Sequence, residues 1–190
     1  TNLAALEEME KRGLLTNLHQ KRVAFDDVEL IGLAFVPPTP FSFKDFERRD
    51  TREWRPREPQ LGRAVLATPD GFKAIEDFDA YLRSHPTIED ELDRLTPENT
   101  RRTVAVMHSP PFNTRCDVLF NGEHIGSAAI RRWIERHQPL LTLHGHIHES
   151  PHQSGSFYDL IGMTVVVNPG ASGRRPHWVW IDLGDLTAME

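Results

Sequence analysis

The chain has 190 residues, 38% of them hydrophobic and 26% charged, with a net charge of -6 at pH 7. That length and apolar content suit one domain or a large piece of one, and the acidic balance argues against a basic face for a nucleic-acid duplex. No apolar run approaches the ~18 residues of a membrane span, no basic-then-apolar leader is visible, and the single Cys116 excludes an internal disulfide framework and fits a cytoplasmic protein.

In chain order, Asn2 to Arg12 reads as a short helix, with Leu3, Leu6 and Met9 on one stripe and Gly13 as its stop. Arg22 to Phe25 and Val28 to Phe35 read as a hairpin around Asp26-Asp27, ended by Pro37, Pro38 and Pro40. Thr39 to Asp70 is a Pro-, Arg- and Glu-rich surface excursion whose Phe41, Phe43, Phe46 and Trp54 are expected to pack. Gly71 to Ser84 is expected to be helical, with Phe72, Ile75, Phe78 and Leu82 inward, and Pro86 separates it from a second helix at Thr87 to Leu95.

Thr103 to Met107 is a short β-rich run that ends at His108-Ser109-Pro110-Pro111. Ser127 can cap a helix to about His137 with Ile130 and Ile134 inward. Leu140 to Leu143 is a buried strand ending at His144-Gly145-His146-Ile147-His148. Phe157 to Leu160 and Thr164 to Val167 form a hairpin around Ile161-Gly162-Met163, Asn168 to Gly173 a tight loop, and His177 to Leu183 a last strand. The expected class is mixed, α/β or α+β.

Two strands therefore end in histidine, and ligand sites in α/β sheets sit at the carboxyl ends of strands. Residues two apart on an extended segment face the same way, so His146 and His148 can reach one site, with His108 as a third imidazole donor. Imidazole nitrogen suits zinc, iron, copper and nickel. A regular strand would also align His144 with His146 and His148 as a mononuclear three-histidine zinc site with an open position. Gly145 argues against that regularity, leaving His144 a packing residue or one that supports the ligands.

Val104 to Pro111 (VAVMHSPP) and Leu143 to Ser150 (LHGHIHES) resemble the last two metal-binding motifs of the calcineurin-like metallophosphoesterases. Asn168-Pro169-Gly170-Ala171-Ser172, Cys116-Asp117 and His124-Ile125-Gly126-Ser127 resemble the neighbouring stretches of that family's small bacterial and archaeal phosphodiesterase branch. The resemblance covers Thr103 to Asp182 and implies a four-layer α-β-β-α sandwich with two mixed sheets. It implies a dinuclear centre of divalent Mn, Fe, Zn or Ni, with His108 and His146 on one metal and His148 on the other. A metal-bound hydroxide would then attack a phosphodiester or phosphomonoester, with nucleotides and cyclic nucleotides among the candidate substrates.

The family's Asp-x-His, Gly-Asp-x-x-Asp and Gly-Asn-His or Gly-Asn-Asp motifs are not found in the 190 residues. Residues 1–190 are accordingly expected to be the C-terminal portion of one such domain, with the excursion at about 37–70. The missing half is expected in the same polypeptide or, as the lesser alternative, in a second chain. A non-catalytic binding module of degenerate phosphoesterase fold is the competing reading. Asn113 and Asp117 are candidates to orient an imidazole, Asn168 to close the loop beside the site, and Arg174 to contact a substrate phosphate.

Overall fold

A computed structural model describes residues 3–55, 60–173, 176–187 and 189. The chain runs α1 (Leu3–Lys11), β1 (Lys21–Phe25), β2 (Val28–Leu33), β3 (Val65–Thr68), β4 (Gly71–Ala74), α2 (Phe78–Arg83), α3 (Ile88–Asp93) and β5 (Thr103–Met107). It continues through α4 (Ala128–His137), β6 (Leu141–Leu143), α5 (Ser150–Ser154), β7 (Tyr158–Ile161) and β8 (Thr164–Val167). A six-stranded mixed sheet has the order β1-β2-β5-β6-β8-β7, and β3 and β4 pair separately. The strands β2, β5, β6 and β8 are parallel, with antiparallel β1 and β7 closing the two edges. No described helix is long and apolar enough to cross a membrane.

The parallel strands read as near-continuous apolar runs because both faces carry buried side chains. On one face, Ile31, Leu33, Ala105, Met107 and Val166 join Ile88 and Leu92 of α3 and Ile130, Trp133 and Ile134 of α4 in a single core. Full burial of an Ile or Leu side chain stabilises by about 1.5–3 kcal/mol, so this cluster carries the docking of α3 and α4. On the other face, Val104, Leu141, Val165 and Val167 meet Val179, Ile181 and Leu186 of the C-terminal segment. Leu30 and Leu143 on that face are only half-buried.

Capping sets the helix starts. Thr87 and Asp90 form a reciprocal capping box on α3. Ser127 caps α4 by accepting from Ile130 N, and Asp50 adds to it: its carboxylate accepts from Ser127 Oγ and from Ala128 N at 2.7 Å. Asp50 thereby ties the excursion to α4 through a buried carboxylate at the positive end of that helix.

Three expectations are corrected. Gly71 to Ser84 is not one helix: β4 pairs with β3 across Pro69-Asp70, and only Phe78–Arg83 is helical. The Thr-Pro-Asp-Gly turn, with Gly71 at φ 134°, outweighs the helical spacing of Phe72 and Ile75, and Phe72 lies exposed. His177 to Leu183 forms no strand. Val179 and Ile181 face the core while Trp178 and Trp180 face out, an alternation without, among the described residues, the hydrogen-bonded neighbour a strand requires. In the excursion the expected packing holds for Phe43, which meets Phe72 at 5.4 Å between ring centroids, and for Phe46, which meets His19 edge to face at 5.7 Å, but Phe41 and Phe43 remain largely exposed, while Lys44, Glu47, Asp50 and Thr51 are buried. Polar residues go inside there because they satisfy one another: Lys44 Nζ donates to Glu47 Oε2 at 2.9 Å and to Thr39 O at 2.6 Å. Helix α5, not anticipated, follows from a proline at its first turn.

Candidate metal centre

Strand register builds the site. Leu33 pairs with Met107, Val106 with Leu143 and Leu143 with Val167, so Ala34, His108, His144 and Asn168 emerge along one carboxyl-terminal edge. The main chain continues the ladder into the loops: His108 N donates to Leu33 O at 2.9 Å, His144 N to Val167 O at 2.8 Å, and Gly145 N to His108 O at 3.1 Å. The imidazoles of His108 and His146 then meet edge to face, 5.1 Å between ring centroids.

Beyond Gly145 the chain is not extended. His146 has a left-handed backbone at φ 62°, and Ile147 N turns back to Gly145 O at 2.7 Å. The shared orientation of His146 and His148 on a straight segment is thus corrected to a tight turn, with His146 half-buried and His148 exposed. Left-handed conformations cost a residue with Cβ on the order of 1–2 kcal/mol, and they concentrate at functional sites.

Electrostatics keep two of the rings ready to act as ligands. Burial, then the neighbouring charges of His108 and His148, push His146 down to about 4. Burial and then His148 also lower His108. Both are therefore neutral at pH 7, the state in which an imidazole nitrogen offers its lone pair. His148 acts on both rings electrostatically. Among the described residues, no group of three or more His, Cys, Asp or Glu side chains is gathered to hold an ion.

His144 is buried and turned away from this pair. Its Nδ1 lies 2.9 Å from both Met107 O and Ser109 O, and its Nε2 lies 2.8 Å from Thr142 Oγ1. Two carbonyls can only accept, so Nδ1 carries the hydrogen and Nε2 accepts from the threonine hydroxyl. Both nitrogens are engaged, which leaves none for a metal. The ring instead grips the carbonyls on either side of His108. Burial drives its pKa down to about 4, against the opposing effect of those two carbonyls.

Asn168 is fully buried and closes the loop. Its Nδ2 donates to Cys116 O at 2.9 Å, Ile147 O at 3.0 Å and Gly145 O at 3.3 Å, while Oδ1 accepts from Gly170 N at 2.9 Å. One side chain thus joins the loop after His108 to the loop bearing His146 and His148. Gly170, at φ 67°, packs so closely that a Cβ there would stand 2.6 Å from His148 O.

Asn113 and Asp117 do not hold the paired histidines. Asn113 is an exposed turn residue at φ 58° whose backbone N–H donates to Asp117. Asp117 is fully buried. It accepts from Asn113 N at 3.0 Å, Thr114 N at 2.8 Å and Gly126 N at 2.9 Å, and its Oδ1 lies 2.7 Å from His124 Nδ1. Sequence reasoning gave His124 no role at the site. The available signal was Asn121-Gly122, a turn that folds His124 back against Val118 and so onto Asp117. Arg174 lies outside the described residues. A concavity of about 370 Å³ adjoins His108, lined by Asn17, His19, Gly32, Val106 and Leu143 among others.

No family model matches the chain. It is 40% identical over 76 residues to the uncharacterized protein MJ1162 of Methanocaldococcus jannaschii, a match covering 38% of this chain and 33% of that protein. One crystal structure aligns over 88% of this chain and 51% of its own length, at 20% identity and a TM-score of 0.47. That of TT1561 of Thermus thermophilus aligns over 87% and 54%, at 16% identity and a TM-score of 0.39. The chain thus spans about half the length of these structures and about a third of the curated relative.

Proposed function

We propose that this chain carries the histidine-bearing portion of a metal-dependent phosphoesterase of calcineurin-like type. The observation that carries this reading is the pairing of His108 and His146 at the ends of adjacent parallel strands, both neutral at pH 7, with His148 on the same turn. The donor set fits in kind and falls short in number. Imidazoles suit Mn, Fe, Zn or Ni, but these three residues with no gathered carboxylate fit only part of a dinuclear ligand set. The remaining donors would come from elsewhere in the enzyme.

When bound, two divalent ions would polarise a phosphoryl group and lower the pKa of water. This chain's own contribution is orientation. His144 fixes the peptides flanking His108, Asn168 holds the two histidine loops in register, and Gly170 lets the following loop pack under His148. The half-covered face of the sheet, with Leu30 and Leu143 partly buried, supports its place as one sheet of a four-layer sandwich. Phosphodiesters and phosphomonoesters, nucleotides and cyclic nucleotides among them, are the proposed substrate class.

The test is hydrolysis of bis(p-nitrophenyl) phosphate by the intact protein with Mn²⁺. His146→Ala and His148→Ala are expected to lose activity at least 100-fold; unchanged activity in either would sink the assignment. A non-catalytic binding module is the second reading, favoured by the absence of a gathered ligand group among the described residues. Metal-dependent turnover by the wild type eliminates it.

A further inference from the structure

We propose that the cavity beside His108 is the subsite for the organic group of the ester. That group is uncharged and carries a hydrogen-bond acceptor, and Asn17 and His19 supply the donors that select it. This rests on the phosphoesterase reading. The cavity measures about 370 Å³, and its lining includes Asn17, Leu18, His19, Val106, His108 and Leu143. Small-molecule sites have this character, mostly apolar walls with a few fixed polar groups.

Two of the polar groups are donors without a partner. Ala34 N donates to His19 Nδ1 at 3.1 Å. A backbone amide can only donate, so Nδ1 offers its lone pair and the hydrogen of the neutral ring sits on Nε2. Burial and then the charge of Arg48 lower the pKa of His19, against the opposing charge of Glu91, so the ring is neutral at pH 7. His19 N donates to Asn17 Oδ1 at 3.0 Å, which makes Nδ2 the amino end of that side chain. Among the described residues, neither His19 Nε2 nor Asn17 Nδ2 has a hydrogen-bond partner. Neither is among the buried orphan atoms, so both are accessible to a ligand.

The segment that carries them is held in place before any ligand arrives. Asn17 N donates to Glu10 Oε1 at 2.8 Å, and Gln20 N to Gly32 O at 2.8 Å. Leu18 lies so close over β2 that a Cβ on Gly32 would stand 2.3 Å from Leu18 O. The His19 ring meets Phe35 edge to face, 4.6 Å between centroids. Fixed donors lower the ordering cost of binding. Charge decides what they bind. Among the described residues that line the cavity there is no Lys, Arg, Asp or Glu. A phosphate placed there would lose its hydration with no cation to offset the loss, whereas a carbonyl or ring nitrogen needs only the N–H groups. The phosphoryl group therefore stays with the paired histidines, and the organic group enters the cavity.

The experiment compares the intact wild type with His19→Asn and Asn17→Asp, with Mn²⁺, on 4-acetylphenyl phosphate and on phenyl phosphate. His19→Asn keeps a side-chain oxygen for Ala34 N and removes the Nε2 hydrogen; Asn17→Asp keeps Oδ1 for His19 N and replaces the amino group. Thermal melts check folding. Leaving-group chemistry cancels in each variant-to-wild-type ratio. Each variant is expected to raise KM for the acetyl ester about 3- to 10-fold more than KM for phenyl phosphate. Equal changes on the two esters, or none on either, would overturn the proposal. Independently of turnover, the metal-free protein is titrated with 4-hydroxyacetophenone, phenol and inorganic phosphate. The first is expected to move the His19 ring ¹⁵N and Asn17 side-chain amide signals at concentrations where the other two do not. Movement by phosphate, or by none of the three, would overturn the proposal. Failure of the wild type to turn over either ester would refute the phosphoesterase reading, and the titration would still decide what the cavity binds.

Discussion

Replacing Asn168 by Asp changes one NH₂ to an oxygen and almost nothing in volume, yet it strikes the clamp that joins the two histidine loops. The wild-type amide donates to Cys116 O at 2.9 Å and Ile147 O at 3.0 Å from a position with no solvent exposure. Each buried acceptor left unsatisfied costs about 1–3 kcal/mol, and because a protonated carboxyl keeps one O–H donor, the one lost donor costs about 1–3 kcal/mol. A buried charge facing carbonyl oxygens costs more still, so the variant carboxyl will take up a proton and its folded-state pKa will rise. Held protonated at pH 7 against an unfolded value of ~3.9, it costs up to about 4 kcal/mol. The sign follows from that raised pKa. The folded state binds the extra proton, so Asn168→Asp is least destabilised near pH 4 and worsens as pH rises towards the folded-state pKa. Urea unfolding of both proteins from pH 4.5 to 8 gives the difference directly. A destabilisation below about 1 kcal/mol, or one flat with pH, would refute the role assigned to Asn168.

Three further outcomes are expected. In the metal-free protein His144 sits at about 4 folded against its ordinary 6.5, so the unfolded state takes the proton first. Its contribution of about 3 kcal/mol is fully present above pH 6.5 and is lost as pH falls towards 4; His144→Gln should flatten that limb of the stability profile. Asp50→Ala removes the carboxylate from the start of α4. A loss of about 2 kcal/mol, read as a fall in Tm of roughly 4–8 °C, is expected in differential scanning calorimetry. Gly170→Ala places a Cβ against His148 O at a left-handed backbone position. It should weaken Mn²⁺ binding by isothermal titration more than His177→Ala does, and equal affinities would refute the packing argument.

The legible parts of the sequence were those governed by neighbours in the chain. Ser127 caps α4 because its hydroxyl reaches a backbone N–H three residues on, and the hairpins at 21–33 and 158–167 follow from β-rich runs broken by turn residues. His108 and the His146–His148 run stood out because imidazoles after buried strands are rarely idle. Tertiary structure decided the rest. The order β2-β5-β6-β8 sets His108 beside His146, and no local rule specifies which strand lies next to which. The fold chose β4 over a helix at Gly71, where a turn and a partner strand outweighed spacing. It also chose burial of Lys44 and Asp50 over Phe41 and Phe43, because partners far along the chain satisfy the polar groups. His144 and Asp117 show the same limit most plainly. Their residue types were compatible with metal ligation, support of a ligand or simple packing, and only the groups brought within 3 Å of their nitrogens and oxygens selected among these roles.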